Sequence, residues 1–167
     1  MRSRVRLFGH SLHQMLIVFP LGLLATGVLF DIIYLARHDE IMAAVSYWMI
    51  AAGIIGGLLA APFGFLDWLA IPSGTRAKRI GAMHGGGNLI VVLLFIASWW
   101  MRDTNYSPTT AVMVWSFAGA ILALFTGWLG GELVDRLGVG VDEDANLDAT
   151  NSLHAHHEAR HAHVIGK

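Results

Sequence analysis

The chain has 167 residues, of which 55% are hydrophobic and only 14% are charged, and its mean hydropathy is +0.57. Soluble domains carry roughly 25% charged residues, so this composition excludes an ordinary soluble protein and predicts an integral membrane protein. The absence of cysteine excludes disulfides, zinc–thiolate sites, iron–sulfur ligation and covalently attached haem, and a formal net charge of −1 argues against nucleic acid as a partner.

Four apolar segments account for most of the chain. They occupy residues 15–35, 42–69, 84–101 and 111–129, and each is near or above the roughly 20 residues that a helix needs to cross a bilayer. Pro62 followed by Gly64 predicts a kink, or the end of regular helix, late in the second segment. The first segment is about twice the length of a signal-peptide core, so we expect it to remain in the protein. The sequence thus predicts an all-α fold, an integral membrane four-helix bundle in residues 1–141.

Basic residues are unevenly divided between the two sides of the membrane that four crossings create. Of the 11 Lys and Arg residues, only Arg37 and Arg102 fall on the side opposite to the termini. Short loops rich in Lys and Arg stay in the cytoplasm. This asymmetry predicts that the N and C termini are cytoplasmic.

Ionisable residues gather at the segment ends that this topology brings to the cytoplasmic side. His13 and His84 lie at the start of the first and third segments, and Asp67 and Glu132 lie at the ends of the second and fourth. Polar groups at such depth are costly to keep, which indicates a functional site. On a continuous helix, His10 would share a face with His13, because the two are three residues apart.

This cluster of side chains would suit the binding of haem b or of a metal ion. Two neutral imidazoles from different helices can bind haem iron axially, with His13 and His84 as the ligands and His10 as the alternative. Asp67 could hold a ring N–H, and Glu132 could join the histidines around a metal ion. The basic residues on the same side that could pair with haem propionates are Arg76, Lys78 and Arg79.

Two other interpretations of the histidines stay open. They could be interfacial residues bonded to carbonyls and to Asp67 or Glu132, or they could form a proton relay. The glycines at 85–87, beside His84, would let a large group lie against the backbone. Ridges of small residues on the second and fourth segments predict tight helix packing within the bundle. The alternatives are that these ridges form a homo-oligomer interface or a recess for a flat cofactor.

Several motifs resemble those of the bacterial domain-of-unknown-function 2231 family. The opening GHSLHQM at 9–15, followed by Phe19-Pro20, is similar to the family's G-H-P-L-H-P-M-L and F-P. Other matching elements are GFLDW at 64–68, His84 with Asn88, GWLGGELV at 127–134 and GVGV at 138–141. Ser11 and Gln14 replace prolines of the family pattern, which should let the first helix begin earlier. The resemblance covers about residues 8–141.

The resemblance implies a four-helix protein of the bacterial inner membrane from an uncharacterised family. Some relatives carry Rieske-type or cytochrome c-type domains, which implies redox work near a quinone or a haem. The expected partners are then the lipid bilayer and a redox partner protein or a quinone.

Residues 142–167 differ in composition from the rest of the chain. Four acidic residues come first, and five histidines follow within 154–163. Too few apolar residues are present to form a core, so the sequence predicts a mobile cytoplasmic tail. On a helix, His154, His157 and His161 would be spaced to bind Zn²⁺, Ni²⁺ or Cu²⁺, and a solvated tail without metal is the alternative.

Two classes of function remain open from the sequence. The first is a redox membrane protein, either a small b-type cytochrome or the membrane anchor of an electron-transfer complex. The second is a non-catalytic assembly or metal-handling subunit whose polar cluster is structural. A transporter is a third, although four helices without discernible repeats offer only a small pathway.

Overall fold

The chain folds into two short strands, five α-helices and one π-helical turn in a computed structural model that describes residues 1–102 and 106–153. The strands β1 (Arg6–Leu7) and β2 (His10–Ser11) form an antiparallel hairpin. The helices that follow are α1 (Leu12–Leu16), α2 (Val18–Arg37), α3 (Glu40–Ala70), α4 (Arg76–Trp100), α5 (Thr110–Gly131) and the π-helical turn Glu132–Arg136.

Four helical stretches are long and apolar enough to cross a membrane, namely Leu12–Arg37, Glu40–Ala70, Arg76–Trp100 and Thr110–Arg136. At most 33% of the most apolar window of each stretch is buried within the protein. Large side chains such as Leu21 and Leu124 are 62% and 77% exposed. Surfaces of this kind are covered by lipid rather than by water. The predicted all-α, four-helix membrane fold is confirmed.

The third membrane helix begins two turns earlier than its apolar segment. Thr75 caps α4, because its hydroxyl accepts a hydrogen bond from the backbone N–H of Lys78 at 3.1 Å. Such a cap satisfies one of the free donors of the first helical turn. His84 therefore lies about two turns inside α4 and not at its start. Pro62 does not end α3 either, since this helix continues to Ala70.

The N-terminal hairpin separates His10 from the first membrane helix. Phe8 and Gly9 have φ values of 51° and 87°, which turn the chain between β1 and β2. His10 is exposed in β2, and helical conformation begins only at Leu12. The expectation that His10 shares a helical face with His13 is therefore wrong.

The long helices form a closed ring of four neighbours. α2 packs on α3 and α4 packs on α5, while α3 also contacts α4 and α2 contacts α5. We call residues 12–70 the first hairpin and residues 76–136 the second hairpin. The core between the two hairpins consists of the buried side chains Leu24, Ile50, Ile54, Val91 and Phe95.

The two hairpins repeat the same contacts at constant sequence offsets. In the first hairpin Leu24 of α2 packs against Gly53 of α3, and in the second Phe95 of α4 packs against Gly119 of α5. Phe95 follows Leu24 by 71 positions, and Gly119 follows Gly53 by 66. Residues in the first helix of one hairpin are thus related to residues in the first helix of the other by an offset of 71 positions. Residues in the two second helices are related by an offset of 66 positions.

A further pair of contacts obeys the same offsets. A Cβ on Gly27 would lie 3.5 Å from the carbonyl oxygen of Ser46, and Ser98 Oγ donates to the carbonyl oxygen of Val112 at 3.1 Å. Because both hairpins begin on the same side of the membrane, the twofold axis that relates them runs along the membrane normal. The structure therefore contains a repeat that is not discernible in the sequence.

We predict that the loop between α3 and α4 and the loop between α4 and α5 face opposite sides of the membrane. The chain has no cysteine. Ser73 lies in the first of these loops, Thr110 is the first residue of α5 beside the second, and both are exposed, so Ser73→Cys and Thr110→Cys each introduce one accessible thiol. A membrane-impermeant maleimide should label one variant in sealed right-side-out vesicles and the other only in sealed inverted vesicles. Labelling of both variants from one side would contradict four crossings.

Candidate functional site

His13 connects α1 to α3. Its Nδ1 lies 3.1 Å from the carbonyl oxygen of Ala60. A Cβ on Gly64, one turn further along α3, would lie 2.6 Å from His13 Cε1. The half-buried ring therefore rests directly on the α3 backbone, and the position beneath it requires glycine.

His84 makes the equivalent contacts between α4 and α5. Its Nδ1 lies 2.9 Å from the carbonyl oxygen of Thr126, and a Cβ on Gly130 would lie 3.0 Å from its Cε1. The offsets of 71 and 66 that relate the two hairpins also relate these residues to those around His13. The two histidines are therefore equivalent under the repeat.

The carbonyl partners determine which ring nitrogen carries the proton. A carbonyl oxygen can only accept a hydrogen bond, so a neutral imidazole donates from Nδ1 in both histidines. Nε2 is then unprotonated and keeps its lone pair. Both rings thus present the atom with which a histidine binds a metal.

Asn88 distinguishes His84 from His13. Thr126 Oγ1 donates to Asn88 Oδ1 at 2.9 Å, which orients the side-chain amide so that its Nδ2 lies 3.2 Å from His84 Nε2. Ile17 occupies the corresponding position four residues after His13. Within the described residues His13 Nε2 has no hydrogen bond, so it is the freer of the two Nε2 atoms.

Asp67 makes no hydrogen bond to either imidazole in the described structure. Ser3 Oγ lies 2.8 and 2.7 Å from its two oxygens, and the backbone N–H of Arg4 donates to it at 2.6 Å. The carboxylate thus holds the N-terminal arm over the end of α3. The structure differs here from the expectation that Asp67 accepts a ring N–H, since the carbonyls of Ala60 and Thr126 take that role.

Glu132 likewise pairs with a basic residue and not with a histidine. Arg76 lies 2.6 Å from it, which ties the π-helical turn to the start of α4. No group of three or more His, Cys, Asp or Glu side chains that could hold a metal ion is present among the described residues, so Glu132 does not join His13 and His84 as a metal site there. The predicted metal ligands that lie outside the described residues are His154, His157 and His161.

The predicted propionate partners differ in their contacts. Arg76 is engaged by Glu132, and the Lys78 ammonium donates to the carbonyl oxygen of Trp68 at 2.8 Å and lies 4.0 Å from the centre of its ring. Arg79 is exposed, and its side chain has no ion pair within residues 1–102 and 106–153. Arg79 is therefore the basic group of this set that is available to an added anion.

A buried ion pair lies at the opposite end of the bundle. The two terminal nitrogens of Arg102 lie 2.9 and 2.7 Å from the two carboxylate oxygens of Asp31, and neither side chain has any solvent exposure. Ser46 Oγ and Ser116 Oγ also donate to the carboxylate, at 2.6 and 3.0 Å. The ion pair is therefore contacted from α2, α3, α5 and the end of α4.

The position of Arg102 in the sequence does not indicate that it pairs with Asp31. Arg102 follows the last apolar residues of its segment, where a loop residue on the outer side is expected. Its distance of 71 positions from Asp31 equals the offset between the hairpins, which is the signal that identifies the pair. Arg102 Nε and Trp99 Nε1 are buried and have no hydrogen-bond partner in the part of the chain that the structure describes.

The segment after the π-helical turn returns to the N-terminal arm at the histidine end of the bundle. The N–H of Gly140 donates to the carbonyl oxygen of Met1 at 2.9 Å. Gly138 and Gly140 have φ values of 64° and 81°, which glycine adopts without strain, so the GVGV motif makes the turn that brings the chain back.

Ion pairs hold the acidic segment against the arm. Arg2 lies 3.0 Å from Asp142 and 2.8 Å from Asp144, and Arg6 lies 2.7 Å from Asp142. The hydrogen bond from Arg2 lowers the pKa of Asp144, and the same bond raises the pKa of Arg2. An open cavity of about 390 Å³ remains beside these pairs, with His10 in its wall.

The family of the chain follows from a comparison with family models. The model described as "Predicted membrane protein (DUF2231)" matches residues 9–143, which include both histidines and the buried ion pair. The chain belongs to the DUF2231 family. No curated protein and no solved structure matches it. The DUF2231 match includes all the helices of the bundle, which lie between Leu12 and Arg136. It ends at residue 143, within the acidic segment that forms ion pairs with Arg2 and Arg6.

We predict that acid releases the acidic segment from the arm. Because the pKa of Asp144 is lowered in the folded state, its carboxylate stabilises the docked arrangement at pH values above its ordinary pKa of 3.8, and this contribution is lost as the pH falls through the lower, folded-state pKa. The amide chemical shift of Gly140 should therefore move when the pH is taken from about 6 to about 3. Arg2→Gln should show part of the moved shift already at neutral pH. A shift that stays constant over this range would contradict the prediction.

Proposed function

We propose that this DUF2231 protein is a small bacterial inner-membrane redox protein that binds haem b through His13 and His84. The observation that carries the proposal is a pair of equivalent imidazoles, each with Nδ1 on a backbone carbonyl and with the lone pair left on Nε2. Histidines that ligate a metal usually donate their other ring N–H to such an acceptor. Two neutral imidazoles from different helices form an axial ligand set for haem iron.

Haem b suits these two histidines better than a bare metal ion does. Zinc takes three or four protein ligands, whereas a porphyrin itself supplies the equatorial nitrogens around its iron. The residues that the structure describes supply no third ligand. Gly85 and Gly86, next to His84, are exposed, and Cβ atoms on them would meet no atom within 4 Å, so the surface beside this part of α4 is open.

Each residue near the pair has a defined part in holding the group. Gly64 and Gly130 let the two rings stay against the helix backbones. Asn88 releases Nε2 of His84 when the ligand takes its place. Arg79 pairs with a propionate at the membrane surface. The haem supplies one-electron chemistry, while the protein binds it, orients it and limits its contact with water.

The histidine end of the bundle faces the cytoplasm in this proposal. Arg102 is buried in an ion pair, so Arg37 is the basic residue left on the opposite surface within the described residues. This makes the asymmetry of basic residues stronger than the sequence count suggests. A redox partner protein, or a quinone in the bilayer, would be the partner of a haem held at this end.

A non-catalytic membrane subunit is the second candidate. It is favoured by the fact that both Nδ1 atoms are already bonded to a neighbouring helix and that Asn88 holds Nε2 of His84. In that case the histidines only fix the positions of the helices relative to one another.

The proposal predicts stoichiometric haem b in protein purified from its native host in mild detergent, detected by a Soret band and a reduced α band. His13→Ala and His84→Ala should each abolish the bound chromophore or reduce it strongly, because each removes one of the two imidazoles that would hold the haem. His10→Ala is the matched control, since His10 is exposed in β2, and this variant should keep the chromophore.

The second candidate gives a different result with the same variants. Histidines that only fix helices leave the wild type without haem and unable to bind added haemin, while both His→Ala variants lower the melting temperature. Failure of the wild type to carry or bind haem would reject the redox proposal.

A separate prediction concerns the histidine-rich tail. Ser152 Oγ donates to the carbonyl oxygen of Phe8 at 3.1 Å, so truncation after Leu153 keeps every contact between the tail segment and the arm that the structure describes. The truncated protein should keep the melting temperature of the full chain without metal and lose the binding of added Zn²⁺, Ni²⁺ or Cu²⁺. Calorimetric titration with Ni²⁺ tests this, and unchanged binding would place the metal site in residues 1–153.

A further inference from the structure

We infer that the ion pair between Asp31 and Arg102 selects which hairpins associate, so that the first hairpin closes on the second and not on the first hairpin of another copy of the chain. This inference goes beyond the proposed function and does not depend on haem binding. It rests on the place of the two charges in the internal repeat.

Asp31 and Arg102 are related by the offset of the repeat, with Asp31 inside α2 and Arg102 directly after the C-cap of α4. Arg102 follows Asp31 by 71 positions, the offset that also separates Leu24 from Phe95. The two residues contact each other, with 2.7 Å between their charged groups. A residue that contacts its own equivalent lies on the axis that relates the hairpins. Two first hairpins around such an axis would therefore bring Asp31 against Asp31, and two second hairpins would bring Arg102 against Arg102.

Like charges at this position are strongly disfavoured. Both side chains are fully buried, and an uncompensated charge in such surroundings is costly. The other contacts between the hairpins discriminate poorly, because their core consists of the uncharged apolar side chains Leu24, Ile50, Ile54, Val91 and Phe95, and lipid provides no hydrophobic drive for helix association. The charges are thus the feature that disfavours the wrong pairing while permitting the right one.

The order of synthesis makes this selection important. The first hairpin is made before the second, so at that stage its available partners are the first hairpins of other copies. Asp31 without Arg102 disfavours such a closed pair. The bundle can close stably once Arg102 arrives on the second hairpin.

Stability and selection can be separated by experiment. Replacing a buried ion pair with apolar residues of similar volume is often neutral or stabilising. A full-length variant with Asp31→Leu and Arg102→Leu should therefore stay folded but lose the preference for unlike hairpins. The reversed variant, D31R/R102D, should keep the preference, because the two positions are equivalent.

A disulfide can report which hairpins have paired. A Cβ on Gly57 would lie 3.4 Å from Val92 Cγ2 in the other hairpin, and the chain has no native cysteine. Gly57→Cys with Val92→Cys, added to each variant, should form a disulfide within one chain when the first hairpin meets the second. Leu21 precedes Val92 by 71 positions and is therefore its equivalent in the first hairpin. If two first hairpins paired, the thiol introduced by Gly57→Cys would lie against Leu21 of the other copy, and this disulfide would not form.

We expect the parent protein and the reversed variant to form the disulfide within a monomer almost completely. The apolar variant should keep or raise its melting temperature. It should also contain about ten-fold more chains that lack the disulfide and have the molar mass of a dimer in light scattering. D31R alone, which places two arginines together, should lower both the melting temperature and the disulfide yield.

Three results would overturn the inference. The first is an apolar variant that forms the disulfide within a monomer as completely as the parent, which would make the pair a packing feature only. The second is an apolar variant that fails to fold while the reversed variant folds, which would show a role in stability. The third is a reversed variant that fails to fold while the apolar variant folds, which would show that the two positions are not equivalent.

Discussion

The buried pair of Asp31 and Arg102 fixes the height of the four long helices relative to one another. A single charge at this depth would be costly, so the carboxylate and the guanidinium must lie at the same level. Ser46 and Ser116 must lie there too, because they complete the hydrogen bonds of the carboxylate. Each histidine lies 18 residues before the charged residue of its own hairpin, which corresponds to about 27 Å of helix. The ion pair therefore also sets the depth of the histidine pair, almost one bilayer core away.

The repeat persists in contacts although the amino acids have diverged. Leu24 and Phe95 differ in shape, and Gly27 and Ser98 differ in chemistry, yet each pair contacts the same place on the next helix. The constant partners are glycines and backbone carbonyls, which accept different side chains at the same position. Only a few residue types coincide at these offsets, such as His13 with His84 and Gly53 with Gly119, so the comparison of contacts reveals the twofold relation more clearly than the comparison of residue types does.

The sequence predicted the parts of the fold that depend on lipid and missed those that depend on hydrogen bonds. Apolar runs located four membrane helices, but the start of α4 is basic and is set by the Thr75 cap, so hydropathy placed it too late. His13 and His84 stood out as polar residues among apolar ones. Their partners did not, because backbone carbonyls correspond to no residue type. Asp67 was assigned to the histidines on position alone, without Ser3 of the N-terminal arm as a competing donor.

The two halves of the bundle differ most where polar groups occur. Thr126 and Asn88 in the second hairpin replace Ala60 and Ile17 of the first, and each of the two polar residues satisfies the other. Asn88 depends on Thr126 for a donor to its Oδ1, whereas Thr126 Oγ1 can also donate to the carbonyl oxygen of Ala123 at 3.1 Å. Their effect is that Asn88 holds one of two otherwise equivalent imidazoles at Nε2. A nearly symmetric scaffold thus places both imidazoles at one depth, and a local asymmetry gives the ring of the first hairpin the freer lone pair on Nε2.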